Sequence, residues 1–171
     1  MDLKQYIRIQ EDFPKKGISF KDVSPLLSNP EAFQETIDEM KTIAEKWNPD
    51  IIVGPESRGF IFGAPLALAM NKGFLMARKP GKLPGETMKV SYSLEYGSDA
   101  LEIPAYAVKK GTRILLVDDL LATGGTIRAL EKLFTEAGAE VVGTITAIEL
   151  TDLKGREVLH SPYESLIKYP H

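Results

Sequence analysis

The sequence predicts an α/β fold with a doubly wound, mostly parallel sheet flanked by helices. Two observations support this fold class. Short unbroken apolar runs, typical of strands buried on both faces, recur along the chain. Segments with helical periodicity separate these runs, and this alternation favours parallel strands joined by right-handed crossovers. Such sheets bind their ligands at the carboxyl ends of the strands.

The first half of the chain contains two of the expected strands. DIIVG (50–54) has the length and composition of a short buried strand, and a polar turn and a small-residue helix follow it to about Met70. GFLMARK (73–79) is the next strand. A helix is predicted over 30–47, because Pro30 suits a first turn and apolar residues follow at helical spacing. These apolar residues are Phe33, Ile37, Met40 and Ile43.

The second half repeats the pattern. RILLVDD (113–119) predicts a third strand, and its continuous apolar run suits the centre of a parallel sheet. TIRALEKLFTEAGA (126–139) is amphipathic, and we expect its helix to end at Gly138. EVVGTITAIEL (140–150) predicts a fourth strand. We expect one domain over residues 1–171.

Two segments fall outside this alternation. Residues 1–29 form a lead-in that is punctuated by Pro and Gly. Residues 79–104 form a long excursion between two strands, and long loops in compact domains are usually functional or mobile. Alternation within the excursion predicts a β-hairpin arm. The alternating residues are Val90, Tyr92, Leu94 and Tyr96.

Composition excludes several classes of function. The net charge of −3 argues against binding that depends on neutralising a nucleic-acid backbone. Without cysteine there is no disulfide and no zinc–sulfur site, and with only His160 and His171 a histidine metal site or a Ser–His–Asp triad is not expected. The mixed-charge N-terminus has no apolar signal core, and the apolar stretch 60–70 is too short to span a bilayer. We therefore expect a cytoplasmic protein without a membrane partner.

The most informative string is ILLVDDLLATGGTIRAL (114–130). Backbone N–H groups at the start of its helix, together with two threonine hydroxyls, favour a phosphate dianion. The carboxylates of Asp118 and Asp119 need a different partner, and vicinal ribose hydroxyls can donate hydrogen bonds to them. A ribose 5-phosphate satisfies both halves. The alternative is that Asp119 helps to cap the helix and the glycines serve only the turn. Neither a dinucleotide fingerprint nor a Walker lysine is present.

The whole string resembles the phosphoribosyl-diphosphate loop of the type I phosphoribosyltransferases. Further stretches, in the same order as in the family, narrow the resemblance to the branch that acts on adenine. These stretches are DFPKKGISFKDVSPLL (12–27), GPESRGFIFGAPLA (54–67), ARKPGKLPGET (77–87), SYSLEYG (91–97) and LKGREVL (153–159).

This resemblance implies transfer of a phosphoribosyl group from 5-phosphoribosyl 1-diphosphate to adenine, giving AMP and diphosphate. Mg²⁺ is implied as the cofactor, held mainly by substrate and water rather than by protein ligands. The ribose would be held by Asp118 and Asp119, and the diphosphate by Arg58, after a turn with an expected cis peptide at Glu56–Ser57. The implied 5′-phosphate ligands are Ala122, Thr123, Gly124, Gly125 and Thr126. Positive charge near the leaving group would come from Arg78, Lys79 and Lys82, which without the resemblance would also fit a solvated basic loop.

The resemblance also assigns residues 79–104 as a mobile active-site arm and residues 1–29 as a base-binding N-terminal hood. Glu95 is implied as the general acid or base near the purine, although the sequence without the resemblance favours an exposed hairpin carboxylate. Tyr96 would pack over the closed site or on a neighbouring subunit. Phe20 would stack on adenine or serve as a core residue, while backbone groups of Ser19 and Lys21 would reach the purine edge. Lys21 stands where the family more often has arginine, and Ser19 where it more often has an apolar residue.

Two further expectations follow from the resemblance, and one alternative stands beside them. The chain would form a homodimer, with residues 78–82 near the partner's site. Ala122 stands where transferases for 6-oxopurines have an aspartate beside the purine, so adenine is favoured over hypoxanthine and guanine. A regulator that senses phosphoribosyl diphosphate is the alternative from another class, and it would usually need an added DNA-binding segment or a basic face. An activity panel of free bases separates these possibilities.

Overall fold

A parallel sheet forms the centre of the protein. The computed structural model describes residues 1–94 and 97–171. In these residues five strands pair in parallel, so the predicted doubly wound sheet is confirmed. The spatial order is β4 (Gly73–Ala77), β3 (Ile51–Pro55), β7 (Arg113–Leu121), β8 (Glu140–Leu150) and β9 (Tyr163–Tyr169).

Helices connect the strands, and the helix predicted over 30–47 ends at Glu45. The Asn29 side chain accepts a hydrogen bond from the Ala32 N–H at 2.9 Å and caps the second helix. Gly138, with φ of 87°, follows the last helix and provides its stop. Within the described ranges no helix is long and apolar enough to cross a membrane. The helices are α1 (Ser24–Ser28), α2 (Pro30–Glu45), α3 (Arg58–Ala69) and α4 (Gly125–Glu136).

Each face of the sheet has its own core, which explains the unbroken apolar run of β7. Leu115 and Val117 point to one face, where they join a buried cluster with residues of α2 and α3 such as Phe62. Ile114 and Leu116 point to the other face and join a cluster built on α4. Because successive side chains alternate between faces, the stretch 114–117, which is covered on both sides, is apolar at every position.

The predicted hairpin arm is present and packs on the α4 side. Strands β5 (Thr87–Leu94) and β6 (Gly97–Pro104) pair antiparallel, with Val90 opposite Leu101. Leu101 and Ile103 are 1% and 0% exposed and belong to the same core as α4. The base of the arm is therefore anchored to the sheet layer that borders the α4 helix.

Three features differ from the sequence-based expectations. The lead-in contains an antiparallel hairpin of β1 (Arg8–Glu11) and β2 (Ser19–Asp22), which was not predicted. Strand β9 was also missed, and β7 continues past the two acids to Leu121. Two short 3₁₀ turns, Thr151–Leu153 and Gly155–Val158, join β8 to β9.

Candidate active site

A cleft of about 310 Å³ lies at the carboxyl ends of β3 and β7. This is where a doubly wound sheet is expected to bind its ligand. Its walls come from the turn after β3, the base of the arm and the loop after β7. The lining residues are Pro55, Glu56, Ser57, Arg58, Lys79, Tyr92, Asp99, Leu101, Asp118, Asp119, Leu120, Leu121, Ala122, Thr123, Gly124, Gly125, Thr126 and Ile127.

The two adjacent acids lie in the floor of the cleft. Asp119 is buried and its Oδ2 is 2.9 Å from Arg58 Nε. The Asp118 Oδ1 accepts a hydrogen bond from the Asp119 N–H at 2.8 Å. Burial and the neighbouring Asp119 carboxylate raise the pKa of the Asp118 carboxyl above its usual value. The pair therefore needs hydroxyl or cationic partners, which a bound sugar and Arg58 can supply.

Arg58 owes its position to a close approach of helix α3 to strand β7. The helix begins at Arg58, directly after the cis peptide bond between Glu56 and Ser57 that the resemblance implied. A methyl group at Gly59 would lie 2.7 Å from Pro55 Cδ and 3.3 Å from Asp118 Oδ1. Only a glycine therefore lets the first turn of α3 reach the acids. About half of the Arg58 side chain stays exposed, so its guanidinium remains accessible to a ligand.

The loop of residues 122–126 leads from β7 into α4 and fits an anion. Gly124 takes the left-handed conformation, with φ of 87°, and no side chain of the described residues caps the helix start. The first N–H groups of α4 are therefore available at the positive end of a 12-residue helix. Thr123 and Thr126 add hydroxyls to the same wall. All five residues that the resemblance assigned to the 5′-phosphate line the cleft.

The basic residues at the base of the arm occupy different places. Lys79 lines the cleft and pairs with Asp99 of β6, and this hydrogen bond raises the pKa of Lys79. Arg78 Nε donates to Glu56 Oε1 at 3.2 Å, and the Lys79 N–H donates to the same oxygen at 2.6 Å. Lys82 is exposed and lies outside the lining that the described residues form. Of the three predicted cations Arg78, Lys79 and Lys82, Lys79 is therefore the one in the described lining of the cleft.

The hood residues form their own cluster beside the sheet. Lys21 is 8% exposed, and its Nζ donates to Ser19 Oγ and to the His171 backbone oxygen, both at 2.7 Å. The half-buried Phe20 ring packs edge-on against Phe13, with centroids 5.2 Å apart. None of the three predicted base-binding residues is among the described residues that line the cleft. Glu95 and Tyr96 lie outside the described residues.

Sequence reasoning missed two acids of the cleft. Glu56 holds the backbone of Lys79 and the side chain of Arg78, and Asp99 holds the ammonium of Lys79. Glu56 stands two residues before Arg58 in a quoted motif, which was a usable signal. Asp99 had none, because only the hairpin register brings it opposite Tyr92 and beside the cleft.

The donor set of the cleft bears on Mg²⁺. Among the described residues no three His, Asp or Glu side chains form a group that would hold a metal ion. Magnesium commonly binds through one or two carboxylates together with substrate phosphates and water. Asp118 and Asp119 can accept hydrogen bonds from water bound to such an ion. The residues therefore fit a magnesium ion that arrives with a phosphorylated substrate.

Comparison with known proteins gives consistent matches. The model of the phosphoribosyl transferase domain matches residues 22–166. The adenine phosphoribosyltransferase of Clostridium perfringens is 56% identical over 171 residues, 99% of each chain. That of Gluconobacter oxydans is 53% identical and covers 99% of this chain and 94% of its own.

Solved structures agree with the sequence matches. The crystal structure of adenine phosphoribosyltransferase from Thermoanaerobacter pseudethanolicus has a TM-score of 0.94 at 50% identity, covering 98% of both chains. The Saccharomyces cerevisiae enzyme, complexed with an imino-altritol bisphosphate and adenine, has a TM-score of 0.93 at 43% identity and covers 96% of both chains. The chain therefore belongs to the adenine phosphoribosyltransferase family, within the phosphoribosyl transferase domain proteins.

Proposed function

We propose that this protein transfers the phosphoribosyl group of 5-phosphoribosyl 1-diphosphate to adenine, giving AMP and diphosphate, as a step of purine salvage. The observation that carries the proposal is one cleft that holds two adjacent acids, an open helix N-terminus and an arginine. Residues 1–171 would act as a single domain, and the cytoplasm is the proposed compartment because a multiply phosphorylated sugar does not cross membranes unaided.

Substrate binding would begin with the ribose 5-phosphate. The carboxylates of Asp118 and Asp119 would accept hydrogen bonds from the ribose hydroxyls. Residues 122–126 would receive the 5′-phosphate through their backbone N–H groups and threonine hydroxyls, at the positive end of α4. The sugar and its phosphate would thus be held by consecutive parts of one strand–loop–helix unit.

The diphosphate would compete for the cations of the cleft. Arg58 and Lys79 are each paired with a carboxylate, Asp119 and Asp99 respectively. A diphosphate carries more charge than either carboxylate and would draw both cations toward itself. Arg78 and Lys82 would add to the positive field from the same segment.

The reaction then breaks the bond between C1′ and the diphosphate oxygen while the purine nitrogen forms a bond to C1′. Positive charge grows on the ribose ring and negative charge on the departing diphosphate. Arg58 and Lys79 would stabilise the leaving group, and Asp118 and Asp119 would favour the cationic ring. A bound magnesium ion would neutralise part of the diphosphate charge.

The arm and the hood would complete the site around adenine. We assign residues 79–104 as an arm that closes over the cleft, with Glu95 as the proton-transfer group and Tyr96 as a cover. Tyr92, three residues before Glu95, and Leu101 on the opposite strand already line the cleft. Residues 1–29 would form the hood, with Phe20 stacked on the base and the backbones of Ser19 and Lys21 at its edge. Phe20 packs edge-on against Phe13 of the same hood.

Diphosphate release tests the proposed function. We expect release from phosphoribosyl diphosphate only when adenine and a divalent cation are both present, measured with a coupled diphosphate assay. Hypoxanthine, guanine and uracil complete the panel, and a chelator serves as the metal control. Tight binding of the sugar diphosphate without turnover of any base would instead indicate a sensor.

Asp119→Asn should lower kcat/KM for phosphoribosyl diphosphate about tenfold, because a charged acceptor makes a hydrogen bond roughly twice as strong as a neutral one. Steady-state kinetics with saturating adenine measures this loss. Asp50→Asn is the matched control, since Asp50 accepts the Arg113 N–H at 2.9 Å where β7 begins, far along the strand from the cleft. Equal kinetics for the two variants would contradict a role of Asp119 in binding the sugar.

We also propose a homodimer in which residues 78–82 lie near the partner's site. Large apolar side chains are exposed on α3 and on the edge strand β4. Leu68 of α3 is 84% exposed, and Met76 of β4 is 41% exposed. Contiguous apolar surface on a small protein is typical of a subunit interface, and we place the interface on α3 and β4. Sedimentation velocity at micromolar concentration should give a dimer, and Leu68→Glu should shift it toward monomer. A fully active monomeric wild type would contradict the proposal.

A further inference from the structure

The turn between β8 and β9 touches the loop that we assign to the 5′-phosphate. We refer to residues 155–161 as the C-terminal brace. A methyl group at Gly155 would overlap the Ala122 carbonyl oxygen, and one at Gly124 would lie 2.7 Å from the Gly155 oxygen. A methyl group at Gly124 would also lie 2.7 Å from Val158 Cγ2. The two backbones therefore meet with no space for a side chain between them.

One end of the brace is fixed to the sheet through Arg156. Its Nε and Nη2 donate to the two carboxylate oxygens of Glu149 at 2.9 and 2.8 Å. Glu149 lies on β8 and is 3% exposed, and it also accepts a 2.8 Å hydrogen bond from Ser165 of β9. The Arg156 guanidinium also lies over the Tyr163 ring, 5.1 Å from its centroid. Such a bidentate pair fixes direction as well as distance.

The other end of the brace is fixed to helix α4. Glu131 is 2% exposed, and its carboxylate accepts the N–H groups of His160, at 3.0 and 3.1 Å, and Ser161, at 2.8 Å, as well as the Ser161 hydroxyl. Arg128 lies 3.6 Å from the same carboxylate. The helix that presents its N-terminus to the phosphate thus also holds the brace that presses on the loop before it.

We infer that Arg156 is a positioning residue for the 5′-phosphate: its ion pair with Glu149 sets the brace, which holds residues 122–124 in the shape that receives the phosphate. Arg156 is absent from the described lining of the cleft, so it acts through Gly155 rather than on the ligand. The inference assigns a role to the LKGREVL stretch (153–159), to which the proposed reaction assigns none. The inference rests on the proposed function, because it needs a phosphate in the loop.

The test compares Arg156→Gln and Arg156→Lys with the wild type. The affinity for ribose 5-phosphate, measured by calorimetry on the full chain, should be about tenfold weaker in Arg156→Gln than in the wild type. An effect of this size is within the range seen for substitutions of residues that do not contact a ligand. The KM for phosphoribosyl diphosphate should rise with it, while the KM for adenine stays unchanged. The affinity of Arg156→Lys for ribose 5-phosphate should fall between those of the wild type and Arg156→Gln, because an ammonium keeps the charge but lacks the planar fork of donors.

Arg113→Gln is the matched control. Arg113 also donates through Nε, Nη1 and Nη2, to Asn48, Glu140 and Trp47, but it lies at the start of β7. We expect its ribose 5-phosphate affinity to stay within about twofold of wild type, as for independent sites. Glu149→Gln breaks the same pair from the buried side and repeats the test, and melting temperatures show that each variant is folded.

The outcomes separate this inference from the proposed function. Wild type that binds ribose 5-phosphate, with Arg156→Gln and Glu149→Gln binding it equally well, would overturn the positioning role and leave the proposed function standing. Loss of adenine and ribose 5-phosphate binding to the same degree would overturn it too, since it would indicate general destabilisation. Folded wild type without affinity for ribose 5-phosphate would overturn the proposed function, and this inference with it.

Discussion

Replacing Glu95 with glutamine should lower kcat by about 10² to 10⁴, the usual contribution of a positioned proton-transfer group. Glutamine keeps the size of the side chain but cannot take up or release the proton that adenine exchanges when its ring nitrogen bonds to C1′. The KM for phosphoribosyl diphosphate should change little, because its phosphates and ribose are assigned to other residues. Single-turnover kinetics with saturating sugar diphosphate measures the chemical step directly.

Glu86→Gln is the matched control for this experiment. Glu86 is an exposed acid directly before β5, so it belongs to the same arm and its substitution makes the same change of charge. We expect its kcat to stay near that of wild type. A loss of less than about threefold in Glu95→Gln would make Glu95 an ordinary loop carboxylate, because proton transfer is worth far more. A loss shared by both variants would indicate an effect of net charge on the arm.

The central sheet was predictable because its strands are buried on both faces. Such burial makes β3 and the first part of β7 read as continuous apolar runs, and the helices between the strands show their own period. Strand β9 was missed because its sequence is neither a continuous apolar run nor a regular alternation: the polar Ser165 occupies a buried position, and the apolar Leu166 lies on the less buried face. The β1–β2 hairpin was missed for a similar reason, since every residue of β1 is exposed and its signal is weak.

Within the candidate site, the residues that are adjacent in sequence could be predicted together. Asp118, Asp119 and residues 122–126 share one strand–loop–helix unit, so a single motif locates them all. Contacts between distant segments could not be read in this way. The contact between Gly155 and Ala122 depends on tertiary packing. The ion pair between Lys79 and Asp99 depends on the register of the hairpin. A sequence pattern shows the periodicity of strands and helices and the residues that cap helices. It does not show which loops come into contact in the folded chain.

Adenine should be preferred over hypoxanthine and guanine by at least about 100-fold in kcat/KM. A 6-oxopurine presents a carbonyl where adenine presents its 6-amino donor, and an N–H where adenine presents the acceptor N1, so two groups that suit one base face the wrong partner in the other. Each polar group left unpaired in a closed site costs about 1–3 kcal/mol. Two such mismatches reach about 100-fold, because each 1.36 kcal/mol corresponds to about a factor of ten.

Ala122 is the residue of the cleft that bears on this preference. Related transferases for 6-oxopurines resemble this chain in the loop but have an aspartate at this position, beside the purine. Ala122 is half-buried and lines the cleft, and its methyl group can neither accept a proton nor form a hydrogen bond. Its carbonyl lies against Gly155, so a small residue here also suits the tight packing of the loop on the brace. An experiment therefore has to distinguish the effect of Ala122 on base preference from its effect on the packing of the loop.

Competition among the three bases, with product nucleotides separated by chromatography, measures the preference. Ala122→Asp should narrow it by raising turnover of hypoxanthine relative to adenine, because the carboxylate supplies the acceptor that a 6-oxopurine needs. Ala122→Asn has nearly the same volume without the charge, so a loss that reflects packing alone would be the same in both variants. Wild-type turnover of hypoxanthine or guanine within about tenfold of adenine would contradict the assignment, since that is less than a single strong mismatch costs. The protein would then be a purine transferase of broad range, with selectivity that does not depend on Ala122.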